Sequence, residues 1–452
     1  MPSPRRARPR WTAAVTVVLA AVLAVTGAGC TSAAPPDGSA TVGPDAPTGQ
    51  WRWTPQADRL QLGVTHTRRS LDPDEPDAAR DRGVAILEDH GAVWQNHHLM
   101  GFGTLNPEPA PGAYDWESLD RRMRLTDETG GRVTLTLCCA PDWMKGGAPG
   151  TTDWTRLEED PLPEHFADFA ALAAAAVQRY PQVERVLVWN ELKGFYRTDL
   201  NRWDQEGYTA LYNAVYRAVK AVRPDVAVGG PYVVLASLDP GRPDASDLHG
   251  RWGTIDHRAL DVVDYWLTHK VGADFVAVDG NTKTRDGTRP TTLDVGAQKY
   301  AAVDRWLRTR TDLPIWWAEF YADVPEGVPA GPESPASAAA TLAAVAAFAE
   351  TGAQAALLWG PQGDDLRYAA LWTDSTTPDG GRPTPLTAAW RWLVPRLAEG
   401  RVQVGRSPTR DLVAFRADDG QMLVNLTGSP VDPGDGGGAL PAWGVEVPDG
   451  AR

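Results

Sequence analysis

The feature that most constrains the fold is a regular alternation of short apolar runs and longer amphipathic runs between residues 60 and 399. The short runs are typical of buried strands, and the longer runs are typical of helices. Strand and helix alternate eight times, a pattern that produces a parallel sheet covered by helices. The sequence therefore predicts an α/β fold, a (β/α)8 TIM barrel. An open doubly wound sheet is the second possibility, but Gly63-Val64-Thr65-His66 after the first strand is not a glycine-rich phosphate loop.

Two of the predicted strands end in a glutamate. The fourth, residues 186–189, runs into Asn190 and Glu191, and the seventh, residues 313–318, runs into Glu319. In a closed parallel barrel the carboxyl ends of all strands open on one face, so the two carboxylates are expected to face each other. Glycoside hydrolysis needs such a pair: one group protonates the leaving oxygen, and the other attacks the sugar carbon or activates water. A single glutamate at a strand end is more often a helix cap or an ion-pair partner, but two of them favour catalysis.

Several polar and aromatic residues at other strand ends are candidates for binding a sugar. The fifth strand is predicted to cover residues 226–229 and to break at Gly230-Pro231, and the sixth to cover residues 273–278. Polar side chains can hydrogen-bond sugar hydroxyls, and indole faces can stack on sugar rings. Each candidate could instead be an ordinary loop or core residue. The candidates are His66, His97, His98, Trp143, Tyr196, Asp279 and Trp359.

Composition argues against some classes of partner. The formal net charge is −14 at pH 7, and loss of an arginine-rich N-terminal segment would make it more negative. Such a charge argues against nucleic acid and anionic lipid surfaces and fits a neutral sugar. The 19 tryptophans offer stacking surfaces, although core packing accounts for many of them. Metal-ligand spacing is not found in the sequence, so no metal or cofactor is expected.

The first 50 residues predict export. Residues 1–30 combine a basic start, an apolar run from Trp11 to Val25 and small residues before Cys30, which predicts a signal peptide with a lipobox-like end. The apolar run is too short to span a bilayer comfortably. Lipidation of Cys30 would place the protein on the extracellular face of the cell membrane; otherwise it would be secreted. Residues 31–50 are small and proline-rich and predict a flexible tether.

The rest of the chain divides by its pattern. Residues 51–400 are assigned to the barrel, and residues 401–452 to a small β-strand appendage and tail, where short alternating segments replace strand and helix. Cys138 and Cys139 follow the third strand. Because neighbouring strand residues point to opposite faces, a bridge between them is expected to be strained, and we predict two buried thiols.

Several stretches resemble the clan of retaining (β/α)8 glycosidases, clan A, and most closely glycoside hydrolase family 39, which contains β-xylosidases and α-L-iduronidases. The clan resemblance rests on the Trp-Asn-Glu motif that ends at Glu191 and on Glu319 after two tryptophans. The family resemblance runs from about residue 60 to residue 430. Its motifs are residues 112–116 (GAYDW), 140–144 (APDWM), 228–231 (VGGP) and 273–276 (ADFV).

The resemblance implies a role for three residues. Glu191 would be the general acid/base and Glu319 the nucleophile, while Asn190 would hydrogen-bond the sugar 2-hydroxyl. The enzyme would cleave O-glycosidic bonds by double displacement, with a covalent ester at Glu319. This chemistry itself requires carboxyl groups about 5 Å apart. It also requires a raised pKa at Glu191 and an ionised Glu319.

The sequence departs from the family pattern at three places. The family usually has Pro and then Asn or Asp after the acid/base, Thr before the nucleophile, and His and Tyr at the end of the sixth strand. This chain has Leu-Lys at 192–193, Ala318, and Asp-Gly-Asn at 279–281. Two other classes stay open: a catalytically inactive carbohydrate-binding lipoprotein, and a solute-binding lipoprotein of a transporter. The latter needs two lobes and a hinge, which eight even repeats do not favour. For the hydrolase and for the carbohydrate-binding lipoprotein, the expected partner is an oligo- or polysaccharide.

Overall fold

The computed structural model describes residues 51–364, 367–434 and 436–448 of the 452-residue chain. The predicted signal peptide with Cys30 and the predicted tether at 31–50 lie outside the described residues. Within this part of the chain, every helix is too short or too polar to cross a membrane.

Eight parallel strands close into a barrel, which confirms the predicted fold class. Successive strands pair with each other in chain order, and the eighth pairs with the first, for example Ala355 with Gln61. We number them β1 to β8. They are β1 (Gln61–Thr65), β2 (Trp94–His98), β3 (Arg132–Leu137), β4 (Val183–Val188), β5 (Ala227–Val234), β6 (Phe275–Asn281), β7 (Ile315–Tyr321) and β8 (Ala355–Trp359).

A helix follows each strand and covers the outside of the barrel. The apolar residues of α4 recur every three or four positions, from Tyr208 through Leu211 and Val215 to Val219, and all of them are buried against the strands. The helices are α1 (Asp77–His90), α2 (Glu117–Glu128), α3 (Phe166–Arg179), α4 (Gln205–Val222), α5 (His257–His269), α6 (Leu293–Arg308), α7 (Pro335–Thr351) and α8 (Thr387–Glu399).

Side chains fill the lower part of the barrel. The indoles of Trp94 and Trp316 meet edge to face at 5.1 Å, and Phe275 packs on Trp316 at 4.9 Å. The guanidinium of Arg185 lies 4.7 Å from the Trp316 ring centroid. These apolar side chains fill the barrel at the amino ends of the strands, so the polar side chains lie at the carboxyl ends.

A five-stranded antiparallel sheet packs against α7. Arg406 of this sheet binds Glu350 of α7 at 2.8 Å and Asp294 of α6 at 3.3 Å, so ion pairs fasten the sheet to the barrel. Its first strand precedes β1 in the chain. The strands are Arg52–Pro55, Gln403–Arg406, Leu412–Ala417, Gly420–Asn425 and Val445–Glu446.

The predicted break of the fifth strand is wrong. β5 continues through Gly230-Pro231 to Val234, and Pro231 lies opposite Ala277 of β6. Beyond Gly229 the strand pairs only with β6 and so has the character of an edge strand, where proline is tolerated. The extension carries β5 to the level of Asp279 in β6, which pairs with Val234.

The prediction of two separate thiols is also wrong, because Cys138 and Cys139 form a disulfide with each other. β3 ends at Leu137, so the alternation of side chains along a strand does not apply to the two cysteines. The peptide bond between them is cis, and their Cα atoms lie 2.9 Å apart. Both residues are buried, as expected.

Candidate active site

Three carboxyl groups meet at the carboxyl ends of β4, β6 and β7. Glu191 follows β4, whereas Asp279 of β6 and Glu319 of β7 are partners in the ladder of adjacent strands. One carboxylate oxygen from each residue lies within 4.8 Å of the other two. The two glutamates predicted to be catalytic are therefore neighbours, at a spacing of the order that retaining glycosidases use, about 5 Å. Asp279 joins them.

The turn that carries Glu191 has an unusual backbone. Trp189, Glu191 and Leu192 have φ angles of 68°, 51° and 50°, in the left-handed region that residues other than glycine rarely adopt. The buried indole of Trp189 holds the turn by donating a hydrogen bond to the Lys193 carbonyl at 2.8 Å. Such conformations persist only where the surroundings enforce them, and they cluster at functional sites.

Lys193 supplies the positive charge beside Glu191. Its Nζ lies 2.9 Å from Glu191 Oε2 and 2.8 Å from Glu158 Oε1. The Glu191 side chain keeps 15% of its surface exposed. Burial disfavours the charged form of Glu191, but the hydrogen bond with Asp279 and the Lys193 ammonium outweigh burial and lower the pKa of Glu191.

Tyr232 binds the predicted nucleophile. Its hydroxyl donates a hydrogen bond to Glu319 Oε1 at 2.8 Å, and both residues are buried. Tyr232 also has a positive φ, 55°, just past Pro231. Sequence reasoning missed it because β5 was expected to end at Gly230-Pro231. The family pattern places a tyrosine near the nucleophile from the sixth strand, whereas here β5 provides one.

The pKa directions of the two glutamates are the reverse of those the sequence predicted. Burial, followed by the charge of Glu191, raises the pKa of Glu319 to about 8, although the Tyr232 hydrogen bond and Lys193 act in the opposite direction. The pKa of Glu191 is lowered instead of raised. The reason is the pair of neighbours, Lys193 and Asp279, whose proximity the sequence did not reveal.

Asp279 is fully buried among these groups. Burial, and then the charges of Glu191 and Glu319, raise its pKa well above the ordinary value of an aspartate. Three carboxylates with this spacing could also surround a cation. Among the described residues, Glu191, Asp279 and Glu319 are the group of possible metal ligands with such a spacing. Because the Lys193 ammonium already supplies a positive charge at Glu191, we assign no metal to it.

His66 and His97 do not join the carboxylates, contrary to their selection as sugar-binding candidates. Their rings stack at 4.6 Å, and each is held by hydroxyl or amide groups. His66 contacts Ser70 at 2.7 Å and Gln95 at 3.2 Å, while His97 contacts Thr126 of α2 at 2.8 Å. These are packing contacts between the first strands and α2.

His98 faces the other way, because neighbouring strand residues point to opposite faces. Its ring packs 4.4 Å from Phe102, whose ring in turn lies 4.9 Å from Lys193 Nζ. Neither ring nitrogen of His98 has a hydrogen-bond partner among the described residues, nor does Oδ1 of the buried Asn190. Burial, followed by Lys193 and Arg122, lowers the pKa of His98 to about 3, so the ring is neutral.

The aromatic candidates also differ in their surroundings. Trp359 at the end of β8 packs with Tyr321 and Tyr368 at 5.2 and 6.1 Å, and all three rings are partly exposed. The carboxylates of Asp279, Glu191 and Glu319 are near enough to add to the burial-driven rise of the Tyr321 pKa, so this aromatic cluster adjoins the site.

Trp143 and Tyr196 lie elsewhere. The indole of Trp143 is buried, donates to the Glu108 carbonyl at 2.9 Å and packs on His165. The hydroxyl of Tyr196 donates to Asn201 Oδ1 at 2.7 Å, in the short hairpin after β4. The polar atoms of both side chains thus have protein partners, and their sugar-binding role stays a prediction.

A groove lies beside Phe102, whose ring is 4.9 Å from Lys193 Nζ. Its volume is about 550 Å³, and the loops after β1, β2 and β3 line it. Phe102 forms the wall toward Lys193, and the exposed Leu105 and Trp154 form the outer part, with 55% and 46% of their surfaces accessible. Its volume suits a small ligand.

A scan against protein-family models and a search of curated proteins found no match for this chain. Solved structures do resemble it. A monomeric β-xylosidase from Caulobacter crescentus CB15 has a TM-score of 0.55 at 18% identity, over 84% of this chain and 76% of that one. A GH39 enzyme from Xanthomonas axonopodis pv. citri has a TM-score of 0.54 at 17% identity, over 81% and 71%.

A family 39 glycoside hydrolase from Bacteroides cellulosilyticus WH2 is similar to the same degree, with a TM-score of 0.53 at 15% identity, over 86% of this chain and 77% of that one. At these identities the likeness shows the fold. The chain therefore has the barrel fold of family 39 glycoside hydrolases and related glycosidases.

Proposed function

We propose that the protein is a retaining O-glycoside hydrolase related to family 39, with Glu191 as the acid/base and Glu319 as the nucleophile. The observation that carries this proposal is the meeting of these two carboxyl groups within 4.8 Å at the mouth of the barrel. The fold likeness to family 39 enzymes supports it. So does the enforced backbone at Glu191 and Tyr232.

The reaction has two steps. Glu319 attacks the anomeric carbon and forms a glycosyl ester, while Glu191 gives its proton to the leaving oxygen. Water then enters, Glu191 takes a proton from it, and the resulting hydroxide oxygen attacks the anomeric carbon and releases Glu319. Both carboxyl groups return to their starting forms, and no cofactor takes part.

Productive binding must move a proton between the two glutamates. The raised pKa of Glu319 and the lowered pKa of Glu191 favour the proton on Glu319 at neutral pH. The transition state carries positive charge on the sugar beside Glu319, and an opposite charge nearby favours an ionised carboxylate. The transition state is therefore stabilised when Glu319 is ionised and the proton is on Glu191, next to the leaving oxygen.

The substrate we propose is an oligo- or polysaccharide of the cell surface or the environment, cleaved in the manner of a β-xylosidase. The buried polar atoms of Asn190 and His98 that have no protein partner in the described structure are suited to sugar hydroxyls. The partly exposed Trp359 cluster is suited to a sugar face. A lipid anchor at Cys30, or secretion, would bring the enzyme to such a substrate.

A panel of aryl glycosides tests the proposal: β-xyloside, α-L-arabinoside, β-glucoside, β-galactoside and α-L-iduronide, with polysaccharide digests alongside. We expect phenol or sugar release from at least one substrate by the wild-type protein and none by Glu319→Gln. The alternative is a catalytically inactive carbohydrate-binding lipoprotein. Saccharide binding measured by calorimetry, without cleavage of any substrate, would establish that alternative and reject the hydrolase.

A further inference from the structure

Asp279 has no assigned role in double displacement, which uses two carboxyl groups. We propose that Asp279 is protonated at neutral pH and donates a hydrogen bond to Glu191, which makes it a positioning residue for the acid/base. The proposal rests on the proposed function and adds a third carboxyl group to that site. It follows from the contacts of Asp279 with its neighbours.

The contacts of Asp279 require a proton. No donor among the described residues reaches either of its carboxylate oxygens. One carboxyl oxygen of Asp279 lies within 4.8 Å of a carboxyl oxygen of Glu191. A hydrogen bond between these two side chains lowers the pKa of Glu191 and raises the pKa of Asp279. Two carboxylates can only accept hydrogen bonds, so a hydrogen bond between Asp279 and Glu191 exists only if one of them is protonated.

The surroundings decide which of the two carries that proton. Glu191 is paired with the Lys193 ammonium at 2.9 Å, which favours its charged form. Asp279 is fully buried and has neither a cation nor a hydroxyl donor of its own. An uncompensated buried charge is costly, whereas a neutral buried carboxylic acid can serve as a hydrogen-bond donor.

Lys299 is the nearest cation that could oppose this assignment, and it lies behind the strand. Its Nζ donates to the Asn281 carbonyl at 2.6 Å and would be 3.6 Å from a Cβ placed on Gly280. Gly280 and Asp279 are consecutive strand residues and point to opposite faces. Burial lowers the pKa of Lys299 to about 7, which weakens its positive charge near neutrality. The titratable groups that interact with Asp279 among the described residues are Glu191, Lys193, Tyr232, Lys299, Tyr300, Glu319 and Tyr321.

A neutral Asp279 has two consequences for catalysis. It leaves Glu191 and Glu319 as the pair that exchanges one proton, which is the protonation state that double displacement requires. It also gives the Glu191 carboxyl a second contact besides Lys193, so that the acid/base keeps its orientation when the leaving group arrives.

Two variants of Asp279 distinguish a need for a hydrogen-bond donor from a need for a negative charge. Asparagine has the shape of a protonated aspartate and keeps an N–H donor, whereas leucine fills similar space with no donor. For Asp279→Asn we expect kcat/KM on a cleaved aryl glycoside to fall by less than about tenfold, and for Asp279→Leu by about 100-fold or more. The pH limb set by Glu191 should move to higher pH in the leucine variant alone, because the hydrogen bond that lowers the Glu191 pKa is lost.

Equal large losses in both variants would overturn the proposal, because an ionised carboxylate would then be needed. Near wild-type activity in both would overturn the positioning role. Another buried carboxyl, that of Asp304 in α6, accepts hydrogen bonds from Trp317 and Thr351. Asp304→Asn is the control for the loss of a buried carboxyl group, and its pH profile should match that of the wild type.

A measurement without substrate keeps the proposal separate from the proposed function. Carbon-13 NMR of protein labelled at the aspartate carboxyl carbon reports each protonation state directly, and the Asp279 signal is the one missing in Asp279→Asn. We expect that signal at the position of a protonated acid from pH 5 to pH 8. A signal at the ionised position at pH 7 would refute the proposal even in an active enzyme, whereas a protonated Asp279 in a protein that cleaves nothing would refute only the hydrolase.

Discussion

Glu191 and Glu319 have the same side chain at the ends of two barrel strands, yet their surroundings differ. Glu191 has a hydrogen bond with Asp279 and an ammonium group 2.9 Å away, and these two neighbours lower its pKa. Glu319 is buried, accepts a hydrogen bond from the Tyr232 hydroxyl, and has a pKa raised to about 8. The comparison shows that neighbouring residues and burial, and not residue type, divide the roles of paired carboxyl groups.

Removing the Lys193 ammonium should reduce the pKa difference between Glu191 and Glu319. In Lys193→Met the pKa of Glu191 should rise, because burial would no longer be offset by a cation. We expect the pH limb set by Glu191 to move to higher pH, because the acid stays protonated over a wider range. Lys220→Met, which removes an ion pair with Asp274 instead, is the matched control. An unshifted pH profile in Lys193→Met would contradict the role given to this ammonium.

Removing the Tyr232 hydroxyl, which binds the proposed nucleophile, should widen the pKa difference between Glu319 and Glu191. The Tyr232 hydrogen bond lowers the pKa of Glu319 against burial, so Tyr232→Phe should raise that pKa further above 8. Less Glu319 is then ionised at pH 7, and we expect kcat to fall about tenfold and to recover partly at higher pH. Tyr208→Phe removes an equally buried hydroxyl, bonded to the Val188 carbonyl, and should leave the pH profile in place.

The raised pKa of Glu319 also predicts a cost in stability. A carboxyl group whose pKa rises from 4.5 to about 8 on folding contributes its full stability below pH 4.5 and loses it as the pH rises toward 8. Glu319→Gln cannot ionise, so its Tm should exceed that of the wild type by about 2 °C or more at pH 8 and match it at pH 4. Differential scanning calorimetry at the two pH values checks this, with the exposed Glu164→Gln as control. A variant less stable at pH 8 would show that the Glu319 charge is well compensated.

The groove lined by Phe102 and Trp154 should matter least, and only for longer substrates. With Glu191 as the proposed acid/base, the leaving group departs on the side of Lys193, and Phe102 connects that side to the groove. For Trp154→Ala we expect kcat/KM on oligosaccharides of three or more units to fall about tenfold, and on aryl glycosides to stay within about twofold. Val271→Ala, an exposed apolar residue at the other end of the barrel, is the control. Equal effects on both substrate lengths would remove the groove from the leaving-group side.

The sequence predicts the barrel and the pair of glutamates because both depend on local pattern. Buried strands are short apolar runs, and parallel closure brings their ends together whatever the loops contain. Tyr232 could not be found in this way, because its place depends on a strand that continues past Pro231 while pairing on one side only. Lys193 stood next to the motif, but its contact with Glu191 depends on a left-handed turn that no composition rule predicts.

The histidines show a further limit of the sequence pattern. His97 and His98 are consecutive on β2 and therefore point to opposite faces, so at most one could reach the site. The structure places His98 near Lys193 and His97 against α2. Which of the two histidines points into the barrel depends on the register of β2. The end of β2 is short and polar, so it has no apolar alternation from which the inward face could be predicted.

Trapping the covalent intermediate tests the central claim most directly. A 2-deoxy-2-fluoro aryl glycoside of the cleaved sugar slows both steps, so the ester accumulates and can be located by peptide mapping with mass spectrometry. We predict one sugar per protein, attached to the peptide that contains Glu319, and no adduct in Glu319→Gln. An adduct on Glu191 or Asp279, or hydrolysis with inversion and no adduct, would contradict the assignment of Glu319 as the nucleophile.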